Sequence, residues 1–283
     1  MFFIIMINKF LSIESRLLVD EGNRGIKKIV PESPQLYAAC LELVKCKTVG
    51  ILTGFPCLFN SPVKIESDGL AGALSISRFL CSQKIQPTIL IDELYIPVMQ
   101  DLINWHNKEF LCDVGLSSSL DHSFEGIVSI ERAGRSRDGN YYTMRALLME
   151  NILELDTVYL DQKPCRTRVA IGDGGNEAGL GGVQDKVRAH IKNGEIIASC
   201  SMSDFIIISS VSTWGGYALS LALSLVCESQ YLISLDEEEK IAQKLMELNI
   251  CDGILGVPQL GIDGLDWNYT KSFIEDINFI KQS

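Results

Sequence analysis

Five short runs of uninterrupted apolar sequence recur along the chain: TVGILT at 48–53, TILI at 88–91, IVSI at 127–130, TRVAI at 167–171 and FIIIS at 205–209. A strand with one wet face alternates apolar and polar residues, so runs without alternation belong to strands buried on both faces. Helical patterns separate them. One covers 34–46, and another follows Asp68-Gly69 with apolar residues at Leu70, Ala73, Leu74 and Leu80. A third lies around 97–109 and a fourth begins near Trp214. Strands alternating with helices read as βαβ units, hence as a mostly parallel, Rossmann-like α/β sheet with helices on both faces. No repeat, low-complexity tract or linker divides the chain. It reads as one α/β domain over 1–283, with 1–33 as an N-terminal extension. Asp68 stands where it would cap the helix that follows it. Ser234 and Glu237 have capping-box spacing ahead of a last amphipathic helix, which stops at Asn249.

Charge and cysteine usage narrow the function classes. Lys and Arg number 25 against 36 Asp and Glu, so the net charge is 25 − 36 = −11, which repels phosphate backbones and argues against nucleic acid. The nine cysteines are odd in number, have no C-x-x-C spacing and mostly sit in apolar surroundings. They read as buried reduced thiols, and thus as a sign of a reducing compartment. Three scattered histidines, His106, His122 and His190, offer no structural zinc cluster. The apolar run Met1–Ile7 lacks the basic flank and cleavage site of a signal peptide, and the cytoplasm is the default location. Val211–Cys227 is too short and too rich in Gly and Ser to cross a membrane, and reads as a helix at the centre of the core.

In open α/β sheets ligands bind in loops at the carboxyl ends of strands. Four such loops, 53–69, 131–145, 172–182 and 209–216, are rich in Gly, Asp and Arg. GDGGNEAGLGG at 172–182 holds six glycines, which allow close backbone approach to a ligand. The dinucleotide fingerprint fails because Glu177 occupies its third glycine position, and no P-loop Lys follows. A structural turn explains the glycines alone; Asp173, Asn176 and Glu177 add groups that a turn does not require. ERAGRSRDGNYYTMR at 131–145 concentrates Arg132, Arg135, Arg137 and Arg145, which suit carboxylates, or else a solvated surface loop. TGFPCLFNSPVKIESDG at 53–69 offers Glu66 and Asp68. No G-x-S-x-G elbow supports a serine hydrolase.

Taken together, TGFP at 53–56, ESDG at 66–69, the Arg-rich and Gly-rich segments, VSTWGGYALSLAL at 211–223 and IDGL at 262–265 resemble the D-glutamate cyclase family, in its glutamate-cyclase-like C-terminal domain. They occur in family order across nearly the whole chain. Two mild departures are Thr143, where the family typically has Asn, and Leu180, where it typically has Met. The resemblance implies a carbon–oxygen lyase that converts D-glutamate to 5-oxo-D-proline and water, acting on a small dicarboxylic amino acid. On that reading Asp173 and Glu177 share the proton transfers and Asp68 orients the amine. Arg132, Arg135 or Arg137 grips the α-carboxylate, and the Gly174 and Gly175 amides hold the oxyanion. Gly54, Asn176 and Trp214 complete the substrate site. No cofactor is required, although the acidic loops also suit Mg²⁺ or Mn²⁺. The alternatives are a non-catalytic sensor of a small acid, or an enzyme for a phosphorylated metabolite bound at the Gly-rich turn.

Overall fold

The structure, a computed structural model, describes residues 2–20, 24–60 and 62–283. Met1 of the apolar run, residues 21–23 of the N-terminal segment and Ser61 of the loop 53–69 lie outside the described residues. Six strands form one sheet: β1 (Thr48–Leu52), β2 (Gln86–Leu90), β3 (Gly115–Ser117), β4 (Gly126–Ile130), β5 (Thr167–Gly172) and β6 (Phe205–Ile208). Their order is β3-β2-β1-β4-β5-β6 and every pairing is parallel. The α/β class and the Rossmann-like arrangement follow. The chain order reverses between β1 and β4, so the segments leaving these two neighbours diverge and open a crevice.

The two faces of the sheet are sorted by the two-residue period of a strand. Val49, Ile51, Ile89, Val128, Ile130, Val169, Ile171 and Ile207 enter the main core. That core also takes in α1 (Phe2–Leu17), α2 (Leu36–Leu43), α3 (Leu70–Ser82) and α4 (Ile96–Phe110). Alternate residues such as Leu52, Leu90 and Ile127 pack with Leu155, Tyr159 and Leu160 on the other side. Ala170, Ile206 and Ile208 meet Val187 of α5 (Gln184–His190) and Ile197 of α6 (Gly194–Ile197).

The helix α7 (Ser212–Val226) is the centre of the main layer, followed by α8 (Leu235–Glu247) and α9 (Trp267–Gln282). All its residues from Ser212 to Ser224 are buried, as an apolar helix without charge requires. No helix among the described residues is long and apolar enough to cross a membrane. α3 and α7 pack backbone to backbone. A Cβ at Gly216 would lie 2.5 Å from the Gly72 Cα, and one at Gly72 would lie 2.9 Å from the Thr213 carbonyl oxygen. The Ser75 and Ser220 hydroxyls close this contact at 2.9 Å.

Several elements go beyond the sequence reading. α1 and α9 pack on α7, with Phe10, Ile13, Leu17, Phe273, Ile274 and Ile277 buried. The segment read as an extension therefore supplies part of the core. Ser234 does cap α8, accepting from the Glu237 N–H at 3.4 Å. A Gly216→Ala substitution is expected to destabilise the chain by about 1–3 kcal/mol, because the atoms it meets are backbone and cannot yield. Equilibrium urea unfolding measures this, and an unchanged midpoint would disprove the close packing.

Candidate active site

The loops after β1, β4 and β5 meet above the β1–β4 crevice around a hollow of about 140 Å³. One water needs on the order of 10–15 Å³ in the same measure, so the hollow has room for a small organic molecule. Its floor carries Glu66, Glu131, Asp173, Asp263 and Arg24. Phe55, Leu58 and Phe59 form one wall, Thr143, Met144, Arg145 and Leu147 another, with Asn176 and Ile254 between them. Three of the four loops singled out by sequence line it. The fourth, 209–216, supports it from below.

That support comes through Asp68, which does not cap the helix that follows it. α3 starts from Gly69, at φ 77°, without a side-chain cap. Asp68 instead reaches across and caps α7: its Oδ1 accepts from the Thr213 N–H at 2.8 Å and its Oδ2 from the Ser212 N–H at 3.0 Å. The positive end of the α7 dipole thus faces a carboxyl group, which it helps to ionise. The Ser212 hydroxyl donates to Glu131 Oε2 at 2.5 Å. Glu131 holds a left-handed backbone, φ 41°, which a non-glycine residue adopts only when its surroundings impose it. Gly69 leaves the space: a Cβ there would lie 2.4 Å from the Glu131 Cβ.

Oxygens of Asp68, Glu131 and Asp173 lie within 4.8 Å of one another, all three residues buried. Arg24 brings one cation to this group: its Nη2 sits 2.7 Å from Asp173 Oδ2 and 2.8 Å from Asp263 Oδ2, and donates to the Ser210 carbonyl oxygen at 2.6 Å. The single guanidinium does not balance the acids. Burial, then Asp263, pushes Asp68 up to about 7. Burial and the Asp173 and Glu177 charges push Glu131 well above the carboxylate range. Burial raises Asp173 despite Arg24, and Glu66 rises through burial, Asp263 and Asp68. Protons, or a bound cation, must therefore offset part of this charge at neutral pH. Three oxygen ligands of this kind also suit a hard divalent ion.

The remaining sequence candidates are distributed differently from the expectation. The Gly-rich loop does form an anion nest, but its anion is internal. Glu177 Oε1 accepts from the Asp173 and Gly174 N–H groups at 2.8 and 2.6 Å, and Oε2 from Gly175 at 2.7 Å. The Gly174 and Gly175 amides are therefore engaged by a side chain rather than free for an oxyanion. This also removes the feature that favoured a phosphorylated ligand. Asn176 lines the hollow and is fixed by donating to the Tyr142 carbonyl oxygen at 2.9 Å.

Of the arginines, Arg132 is fully buried and paired with Asp92, its Nη2 2.8 Å from Oδ1, and it also donates to the carbonyls of Leu153 and Gly54. It fastens the loop instead of facing the hollow. Arg135 pairs with Asp161 at 3.0 Å outside it, and Arg137 is exposed. Arg145 lines the hollow, its guanidinium carbon 4.4 Å from the Phe59 ring centroid. Gly54, at φ 90°, makes the turn after β1, where a Cβ would strike Ile91 at 2.8 Å. Trp214 is buried, donates to Thr270 at 3.0 Å and stacks on Phe273 at 5.0 Å. Both serve the fold.

Five charged residues of the hollow lay outside the site proposed from sequence: Arg24, Glu66, Glu131, Arg145 and Asp263. Glu66 and Arg145 stand in segments already singled out. Glu131 directly follows an apolar strand at the crevice, a legible signal obscured by the arginines beside it. Asp263 belongs to the IDGL segment. Arg24 carries no local signal.

Residues 13–278 match the family described as D-glutamate cyclase-like, C-terminal. The chain is also 32% identical, over 312 aligned positions, to the human protein named D-glutamate cyclase, mitochondrial. That alignment covers 93% of this chain and 50% of the human protein, so the chain spans about half the length of that relative.

Two measurements check this geometry. Arg132→Ala leaves Asp92 buried without its partner and should cost about 3–5 kcal/mol in a denaturant titration. Arg137→Ala should stay within about 0.5 kcal/mol of the parent chain. Asp68 keeps its proton up to about 7 when folded but loses it near 3.9 when unfolded. Between those values the folded chain binds more protons, so this contribution to stability is full at about pH 4 and lost by about pH 7. Glu131 and Asp173 act in the same direction. In the absence of divalent ions, Glu131→Gln should flatten the fall in melting temperature across that window; an unaltered slope would show that the acids are not crowded.

Proposed function

Because the chain belongs to the D-glutamate cyclase-like family, we propose that the hollow binds D-glutamate and closes it to 5-oxo-D-proline with release of water. One observation carries the reading: buried carboxyls of raised proton affinity converge in a hollow that the Arg145 guanidinium also lines. The substrate's α-ammonium is the cation that the floor lacks. Its α-carboxylate is the partner for the Arg145 guanidinium, with the Asn176 side chain beside it. Held at both ends, the molecule is folded so that its nitrogen meets its own γ-carboxyl. Such restriction of an intramolecular reaction supplies a large part of its acceleration.

Ring closure moves two protons from the nitrogen to the oxygen that departs as water. A single fixed base or acid does only half of that. Glu131, Asp173 and Asp68 share protons among closely spaced oxygens, so one member can accept from the nitrogen while another donates to the leaving oxygen. Neither direction requires a full negative charge to be created or destroyed in the cluster. Glu177 has no part in this relay; it holds the Gly-rich loop that places Asp173.

The same floor fits a divalent cation by its donor set. Asp68, Glu131 and Asp173 would hold Mg²⁺ or Mn²⁺, and the ion would supply charge neutralisation and polarisation of a bound carboxyl oxygen. Incubation with D- and L-glutamate, with and without each ion, and mass-spectrometric detection of 5-oxoproline tests the whole reading. D-glutamate should yield product. Glu131→Gln and Asp173→Asn should lower turnover by about 10²- to 10⁴-fold. Arg145→Ala should raise KM by about 10- to 100-fold with little change in kcat, as the loss of a charged hydrogen bond implies. Saturable binding of glutamate without product would replace the enzyme with a sensor.

A further inference from the structure

Two cysteines meet in the wall of the hollow. Cys57 ends the short strand Pro56–Cys57 and lines the hollow, while Cys251 is bridged to Glu66 beside it. Both are buried. The Asn60 side-chain amide donates to both sulfurs, at 3.7 and 3.6 Å, and so bridges the two thiols, which themselves face the Asp252 and Ile65 carbonyl oxygens at 3.9 and 3.5 Å. The neighbouring Cys251 thiol, the Phe59 N–H and the Asn60 amide all favour negative charge on the Cys57 sulfur. Against burial and the nearby Asp252 they hold Cys57 down to about 6, whereas Cys251 is pushed up by the same contact. The surroundings thus favour the thiolate on Cys57 and keep the proton on Cys251.

We propose that Cys57 and Cys251 form an oxidation site: a thiol pair that peroxide converts to a disulfide across the wall of the hollow. The Cys57 thiolate attacks one peroxide oxygen, the O–O bond breaks, and the departing hydroxide takes a proton to become water. Cys57 is then a sulfenic acid. The Cys251 sulfur attacks the Cys57 sulfur, the S–O bond breaks, and the hydroxyl leaves as water with the Cys251 proton. Two electrons pass from the sulfurs to peroxide, which ends as two waters. Peroxide enters through the hollow that Cys57 lines.

The bond has a direct consequence for the site. A disulfide spans about 2.05 Å, much less than a contact between two thiols. Because Cys251 directly precedes Asp252, the bond would tie the wall of the hollow to Asp252. The Asp252 carboxylate holds the N–H groups of Ile254, Leu255 and Gly264 at 2.8 Å each, and so fixes the loop that presents Asp263. Asn60, which also donates to the Gly256 carbonyl oxygen at 3.2 Å, ties both cysteines to the same loop.

The inference rests on the thiols and not on the reaction proposed above, and its test reads no turnover. Wild-type protein is treated with hydrogen peroxide at neutral pH, alkylated and mapped by mass spectrometry without reduction. Reactive thiols should fall from nine to seven, with a Cys57–Cys251 linked peptide that dithiothreitol reverses. Cys81 and Cys112, a second pair of neighbouring thiols away from the hollow, are the internal comparison. Linkage of that pair, or of any other, while Cys57 and Cys251 remain open to alkylation would overturn the proposal. Cys251→Ser should stop at a sulfenic acid that dimedone labels on Cys57, and labelling elsewhere would overturn it too. If that variant does not fold, the wild-type map decides.

Discussion

The reach of Asp68 to the N-terminus of α7 joins everything at the crevice. It ties the loop after β1 to the helix after β6, across the point where chain order reverses. Without that carboxyl the first N–H groups of a buried helix would lack partners, at a cost of about 1 kcal/mol or more. With it, the helix dipole lowers the cost of gathering further carboxyls there. Ser212 extends the same support to Glu131 through its hydroxyl. The acidity of the floor and the burial of α7 are thus two sides of one arrangement.

Charge is divided by depth. Arg132 and Asp92 are enclosed together and bind the loop after β4 to the structure. Glu177 is enclosed with three N–H donors and shapes the loop after β5. These groups are paired within the protein, with only the Arg132 Nε left without a partner among their charged ends. The floor differs: Glu66, Glu131, Asp173 and Asp263 line it with Arg24 as the cation among them, and Asp173 stays raised despite that cation. That difference, and not the mere presence of Arg or Gly, separates scaffold from site.

Much of the fold was legible in the sequence because strands buried on both faces leave an unmistakable apolar signature, as at 127–130 and 205–209. β3 was not, since Gly115–Ser117 is three residues long and only half-buried. The inward face of α1 was not legible either, because its apolar start hides the periodicity that places Phe10, Ile13 and Leu17 in the core. In the site, Asp68 and Asp173 could be found from their place after buried strands, though the cap made by Asp68 could not, because its partner lies 144 residues away. Arginines draw the eye to carboxylate binding, yet Arg132 meets a carboxylate 40 residues earlier in the chain. Arg24 and Asp263 reach the hollow from the two ends of the sequence, a proximity that only tertiary structure creates.

The contact of Gly72 with Gly216 sets how this pocket can respond to an occupant. α3 and α7 rise from Gly69 and Ser212, so their touching backbones lock the two anchoring loops into one rigid base. That base cannot shift without parting two main chains. The opposite lip is built otherwise: Phe59, Leu147 and Ile254 leave about half of their surface in water. The hollow thus joins a close-packed acidic base to a rim of half-exposed apolar side chains, two surfaces of unequal freedom around one space.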